Sequence, residues 1–153
     1  MKKLFVLIDC SGSFCESGKS ELQTYITDSL YNASEGIFCD IAEFSFFTWS
    51  DTVMPYTPCQ KLVFGGSSNH EVLCEWLGSL DNGTTIIFLS DGLFDGDTFE
   101  IRMLAEKHEL HIEVCAVGAD ANCGTLSDIA EHHTVHEPAD IITDTAVLCR
   151  KGV

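Results

Sequence analysis

A chain of 153 residues, 45% of them hydrophobic, has the material for one proper hydrophobic core and no need of a second. Its formal net charge of −16 repels phosphate backbones and anionic lipid, which argues against nucleic acid and membrane surfaces as partners and for cations. The eight cysteines form no Cys-x-x-Cys pair. Cys39, Cys74 and Cys115 lie in or beside apolar periodic segments, where a free thiol acts as a small hydrophobe. The apolar run after Met1-Lys2-Lys3 stops at Asp9, short of the ~7–15 residues of a secretory core. No run approaches the ~18–20 residues of a membrane span. The expected compartment is reducing and cytoplasmic.

In chain order, Leu4 to Ile8 is an unbroken apolar run, the pattern of a strand covered on both faces. Leu22, Tyr25, Ile26 and Leu30 recur at helical spacing and predict a helix from about Ser17 to Asn32, ended by Ser34-Glu35-Gly36. Cys39 to Thr48 predicts a second strand, Trp49-Ser50-Asp51 a turn, and Thr52 to Tyr56 a short strand that Pro55 confines to a sheet edge. Pro58 to Phe64 brings the chain back to Gly65-Gly66-Ser67-Ser68-Asn69. A second helix follows, with Val72, Leu73, Trp76, Leu77 and Leu80 on one face, closed by Asp81-Asn82-Gly83. Thr84 to Leu89 predicts a strand that runs into Ser90-Asp91-Gly92. A third helix starts near Asp97 or Thr98 and is expected to bury Phe99, Met103 and Leu104. Leu110 to Val117 predicts a strand, Thr125 to Glu131 a short helix and Thr134-Val135 a brief strand. The last helix opens at Pro138 with Ile141, Ile142 and Val147 inward. Strands and helices alternate without repeat or linker. The expected architecture is one α/β domain over residues 1–153: a doubly wound, mostly parallel, Rossmann-like sheet with one antiparallel edge strand and helices on both faces.

Asp9 falls at the carboxyl end of the first strand, where open α/β sheets place ligands. Ser11 and Ser13 follow at alternate positions, so one carboxylate and two hydroxyls can converge. Such a hard oxygen set suits Mg²⁺ or Mn²⁺. Asp9-x-Ser11-x-Ser13, then a Gly65-Gly66-Ser67 loop, then Asp91-Gly92 after a buried strand, resembles the von Willebrand factor A (integrin I-like) domain with its metal-ion-dependent adhesion site. The resemblance extends over nearly the whole chain and includes the small intracellular bacterial members. Serine stands here for the threonine of the second loop; Ser68 takes that place if the register slips by one. The resemblance implies a metal held by Asp9, Ser11, Ser13, Ser67 and Asp91, the last directly or through water. It implies one open position for an Asp or Glu of a protein partner, and a bound cation would reverse the local sign of this acidic surface. It further implies a cytoplasmic, non-enzymatic adaptor, working with an AAA+ ATPase of the MoxR class or with a protein of a tellurite-resistance-type cluster.

The main rival is a Mg²⁺-dependent phosphatase of the haloacid dehalogenase type. That chemistry wants a second acid two residues after the first, and Ser11 occupies that position with a hydroxyl unfit for general-acid work near neutral pH. The loop at Gly12-Ser13 lacks the lysine and the glycines of a nucleotide-binding loop. His132, His133 and His136, with Cys123 nearby, have no recognised zinc spacing, and exposed histidines at a helix end are expected. Phe14, Asn69, His70, Leu93 and Phe94 flank the three loops. Either the aromatics rim a docking surface, or they fold inward over the sheet end.

Overall fold

Leu4, Val6, Leu7 and Ile8 are buried in the central strand, with Leu7 facing one helical layer and Val6 and Ile8 facing the other. The computed structural model describes residues 1–16 and 18–151. Its strands are β1 (Lys2–Asp9), β2 (Ala42–Trp49), β3 (Val53–Tyr56), β4 (Thr85–Ser90), β5 (His111–Ala116) and β6 (Val135–His136). Its helices are α1 (Lys19–Glu35), α2 (His70–Gly78), α3 (Thr98–Lys107), α4 (Cys123–Ile129) and α5 (Ile141–Arg150). The sheet order is β3-β2-β1-β4-β5-β6; β3 pairs antiparallel with β2, and every other pairing is parallel. This is the doubly wound sheet with one antiparallel edge that the alternation predicts.

β1 pairs with β2 on one side and β4 on the other. The winding direction reverses there, which opens a crevice at the carboxyl ends of β1 and β4. Leu73, Leu77, Ile101, Ala105 and Leu126 bring α2, α3 and α4 onto one face. Ile26, Leu30, Ile141 and Leu148 bring α1 and α5 onto the other.

Three inward assignments are corrected, those of Phe99, Met103 and Val147, and Tyr25 from the apolar spacing of the first helix also faces outward. Tyr25, Phe99, Met103 and Val147 are at least half exposed. In α3 the buried pair is Ile101 and Ala105, one turn apart. The small Ala105 lets the helix lie close to the sheet and leaves Phe99 and Met103 outside. In α5 the inward stripe is Ile141, Thr145, Leu148 and Cys149. In α1 it includes Lys19, Gln23 and Thr27 beside Ile26 and Leu30, which turns Tyr25 outward.

Two boundaries also move. β2 starts at Ala42, because Phe38 tucks under the end of α1 and stacks on Phe44 at 5.9 Å, leaving Cys39 exposed. α2 stops at Gly78, before the Asp81-Asn82-Gly83 turn. Ser17, the predicted start of the first helix, lies outside the described residues. All eight cysteines are free thiols.

Candidate functional site

Asp9 closes β1 and has no exposed surface. Its Oδ1 accepts from the Ser11 backbone N–H at 3.0 Å and the Ser11 hydroxyl at 2.7 Å, and its Oδ2 accepts from the Ser90 hydroxyl at 2.7 Å. Burial pushes the Asp9 carboxyl up to about 6; the Ser11 and Ser90 bonds work against that rise and the Asp91 charge adds to it. Among the described residues no cationic side chain pairs with Asp9. Ser13 Oγ lies 3.3 Å from Ser11 Oγ. The Ser11 proton is committed to Asp9, so Ser13 donates in that contact.

Backbone bonds stitch the second loop to the first: the Gly12 N–H donates to Gly66 O at 3.0 Å, and the Gly65 N–H to Cys10 O at 2.9 Å. Gly66 has φ +77°, and a Cβ there would come within 2.5 Å of Asp51 Oδ2. Only glycine gives the backbone both that conformation and that clearance. Asp51 Oδ1 accepts from the Ser67 hydroxyl at 2.6 Å and the Ser67 N–H at 2.9 Å, which holds its carboxyl below the ordinary range. Ser11, Ser13, Ser67 and Ser68 line one shallow depression with Leu93 and Asp95.

The third loop presents Asp91, also without exposed surface. Its Oδ1 accepts from the Leu93 N–H at 3.0 Å, and its Oδ2 from Lys19 Nζ at 2.7 Å. Lys19 also reaches Asp120 Oδ1 at 3.0 Å and sits 5.3 Å from the centre of the Phe14 ring. Burial alone would lower the Lys19 ammonium, but the bonds to Asp91 and Asp120 outweigh it and raise it. Gln23 Nε2 donates to Asp9 O at 2.9 Å and to Leu89 O at 3.0 Å, clamping the ends of β1 and β4 together.

Lys19, Gln23, Ser90 and Asp51 are therefore part of the site, and sequence reasoning did not single them out. Lys19 and Gln23 are one turn apart on the inward face of α1, and that spacing was the available signal.

The aromatic rim is not formed. Phe14 has no exposed surface, and Phe94 packs edge-on against Trp49 at 5.4 Å. Leu93 remains 40% exposed on the loop face. The C-terminal histidines diverge: His133 Nδ1 meets Ser127 O, His136 lies between Glu113 and Asp144, and His132 faces Glu131 at 3.8 Å.

The donor set fits a hard divalent cation. Asp9 is a buried carboxylate with only neutral donors around it. The hydroxyl protons of Ser11 and Ser67 are already given to Asp9 and Asp51, so their remaining lone pairs are available to an ion. Every polar side chain lining the depression offers oxygen.

No family model matches the sequence, and no curated protein does. Solved structures do. A von Willebrand factor type A protein from Catenulispora acidiphila superposes with TM-score 0.70 at 16% identity, over 98% of this chain and 42% of the other. The conserved hypothetical protein BatB from Bacteroides thetaiotaomicron gives 0.62 at 13% identity, over 99% of this chain and all of BatB. Proximal thread matrix protein 1 of the mussel byssus, solved with a zinc-occupied MIDAS motif, gives 0.63 at 14%, over 97% of this chain and 47% of the other. The chain thus spans less than half the length of the first and third of these. At such identities the agreement is one of architecture, and the strand order, the antiparallel edge and the crevice at β1 and β4 agree with it: the chain has the von Willebrand factor type A fold.

Proposed function

We propose that this chain is a divalent-cation-dependent protein-binding module. Asp9, Ser11, Ser13 and Ser67 would hold Mg²⁺ or Mn²⁺, with Asp91 contributing through water. When bound, the cation supplies a position for an Asp or Glu side chain of a protein partner. The carrying observation is the mismatch between the two buried carboxylates: Asp91 has Lys19, whereas among the described residues Asp9 has hydroxyl and amide donors only. The chain's own residues do the rest. Asp9 orients Ser11, Asp51 orients Ser67, and the backbone bonds between Gly12 and Gly66 and between Gly65 and Cys10 keep the two loops in register.

The reading is of an adaptor rather than a hydrolase. Ser11, two residues after Asp9, spends its proton on the Asp9 carboxylate and offers no general acid. A cytoplasmic setting and a carboxylate-bearing partner, of the AAA+ or tellurite-cluster kind that the family resemblance implies, belong to the same proposal.

The test is thermal unfolding with and without Mg²⁺ or Mn²⁺. An ion bound only by the folded state stabilises by about 2.7 kcal/mol at a hundredfold excess over Kd. Asp9→Ala and Ser67→Ala should lose that increment, and capture of a partner should be reversed by EDTA and absent in Asp9→Ala. An undiminished increment in Asp9→Ala would place the ion elsewhere.

A further inference from the structure

A second group of ligand atoms meets between α2 and α3. His70 and Cys74 stand one helical turn apart on α2, and Glu100 comes from the first turn of α3. His70 Nε2 lies 2.9 Å from Glu100 Oε2 and 3.4 Å from Cys74 Sγ, and the three atoms are all within 4.8 Å of one another. The backbone at Gly96 packs so closely on the ring that a Cβ there would approach His70 Nδ1 to 2.6 Å. The third loop thereby fixes the direction in which Nε2 points.

Hydrogen bonding alone leaves this trio poorly satisfied. One ring nitrogen carries at most one proton. If Nε2–H donates to Glu100, the Cys74 thiol has no acceptor in His70. If Nε2 accepts from the thiol, its lone pair faces the Glu100 carboxylate, which is then left to solvent for its donors. Nδ1 is buried and has no hydrogen-bond partner among the described residues, so it offers no relief. A cation among the three atoms would satisfy all three lone pairs at once.

We infer that His70, Cys74 and Glu100 form a transition-metal site for Zn²⁺ or a cation of its class, with water as the fourth ligand. Nitrogen, thiolate and carboxylate donors are zinc chemistry, and three protein ligands with one open position is a common zinc arrangement. With bonds of about 2.0–2.3 Å, the edges of a tetrahedron are about 3.3–3.8 Å. The observed 2.9 and 3.4 Å contacts lie close to two of those edges, and the third, between the Cys74 and Glu100 ligand atoms, is within 4.8 Å and closes by rotation of the exposed Glu100 side chain. Cys74 is buried, while the Glu100 side chain is 55% exposed, so the ion enters from the Glu100 side. Burial pushes the Cys74 thiol up to about 11, so it starts as S–H. Binding breaks the S–H bond, forms a metal–thiolate bond and releases the proton to solvent, with no change of oxidation state. The site is chemically separate from the set around Asp9, which offers oxygen only and no thiolate or imidazole.

The test is titration of the whole chain with Co²⁺ in millimolar Mg²⁺. The expected result is a thiolate-to-cobalt charge-transfer band with the visible absorption of tetrahedral Co²⁺, bleached by Zn²⁺. Cys74→Ser should remove the charge-transfer band. Cys74→Ala replaces it if the serine variant fails to melt cooperatively in chelator. Glu100→Gln, at an exposed position that leaves the fold intact, should weaken Co²⁺ binding by more than about tenfold, as should His70→Ala. Asp9→Asn should keep the band. Absence of the band in the unsubstituted protein overturns the site. A band that survives loss of Cys74 overturns it too, by assigning the metal to an exposed thiol. Competition by Mg²⁺, or loss of the band in Asp9→Asn, would merge the site with the first loop and equally overturn the inference.

Discussion

Lys19 Nζ donates to Asp91 Oδ2 at 2.7 Å, with the two side chains 8% and 0% exposed. A lysine from the start of α1 thus neutralises the acid at the end of β4, directly behind the candidate metal loops. Removing one partner of a buried pair leaves an uncompensated charge, at a cost of about 3–5 kcal/mol. Lys19→Met should lower metal-free stability by that order in urea unfolding. Adding Asp91→Asn should recover part of the loss, because the stranded charge goes with it. If Asp91 is then free to face the loops, the Mg²⁺ increment should be larger in Lys19→Met than in the unsubstituted chain.

Asp9 predicts an inverted pH response. In the folded chain its carboxyl holds a proton up to about pH 6, and when unfolded only to about 3.8. Between those values the folded state binds more protons, so this group's contribution to stability falls as pH rises through the window and stays low above it. At about 1.4 kcal/mol per pH unit, the penalty above pH 6 is of order 3 kcal/mol. Metal-free Asp9→Asn should therefore unfold later than the unsubstituted chain at pH 8, and the gap should shrink by pH 4.5. A variant less stable at pH 8 would mean that the three donors to Asp9 outweigh its burial.

The first loop was readable in the sequence because its chemistry is local. Asp9, Ser11 and Ser13 lie within five residues, and an apolar run announces the strand that carries them. Lys19 was not readable, because a lysine early in a helix is ordinarily solvated; its burial depends on Asp91, 72 residues away. Asp51 looked like a turn residue for the same reason: its partner Ser67 is 16 residues on, across a hairpin. The doubly wound class and its antiparallel edge followed from the alternation of elements and from Pro55, whereas the inward faces of α3 and α5 did not. Each of those helices carries apolar residues on more than one side, and only packing against the sheet chooses between them.

The thiols divide into two classes. Cys10 and Cys115 are pushed by burial up to about 12 and Cys74 to about 11, and burial raises Cys149 as well. Cys15, Cys39, Cys59 and Cys123 are exposed. Since the thiolate is the reactive form, an aromatic disulfide reagent at about pH 8 should titrate four thiols in the native chain and eight after unfolding. Millimolar reductant should leave the melting temperature unchanged, as no disulfide is present to be lost. More than four fast thiols would show that one of the buried set opens readily.

His136 ties the last strand to two neighbours. Its Nε2 lies 2.7 Å from Glu113 Oε2 on β5, and its Nδ1 lies 2.8 Å from Asp144 Oδ2 on α5. Glu113 is 8% exposed, so its carboxylate depends on this contact for a partner. β6 is only two residues long and contributes little pairing of its own. His136→Ala strands Glu113 and should cost about 1–3 kcal/mol, the penalty for a buried acceptor left unsatisfied. Adding Glu113→Gln should restore part of that loss by removing the buried charge, whereas Asp144→Asn, at a side chain 30% exposed, should restore less. Hydrogen exchange in His136→Ala should rise first in β6 and the start of α5, because those elements lose their common anchor while β1 and β4 keep theirs. Exchange that rose uniformly across the sheet would mean that His136 supports the whole core rather than this one edge.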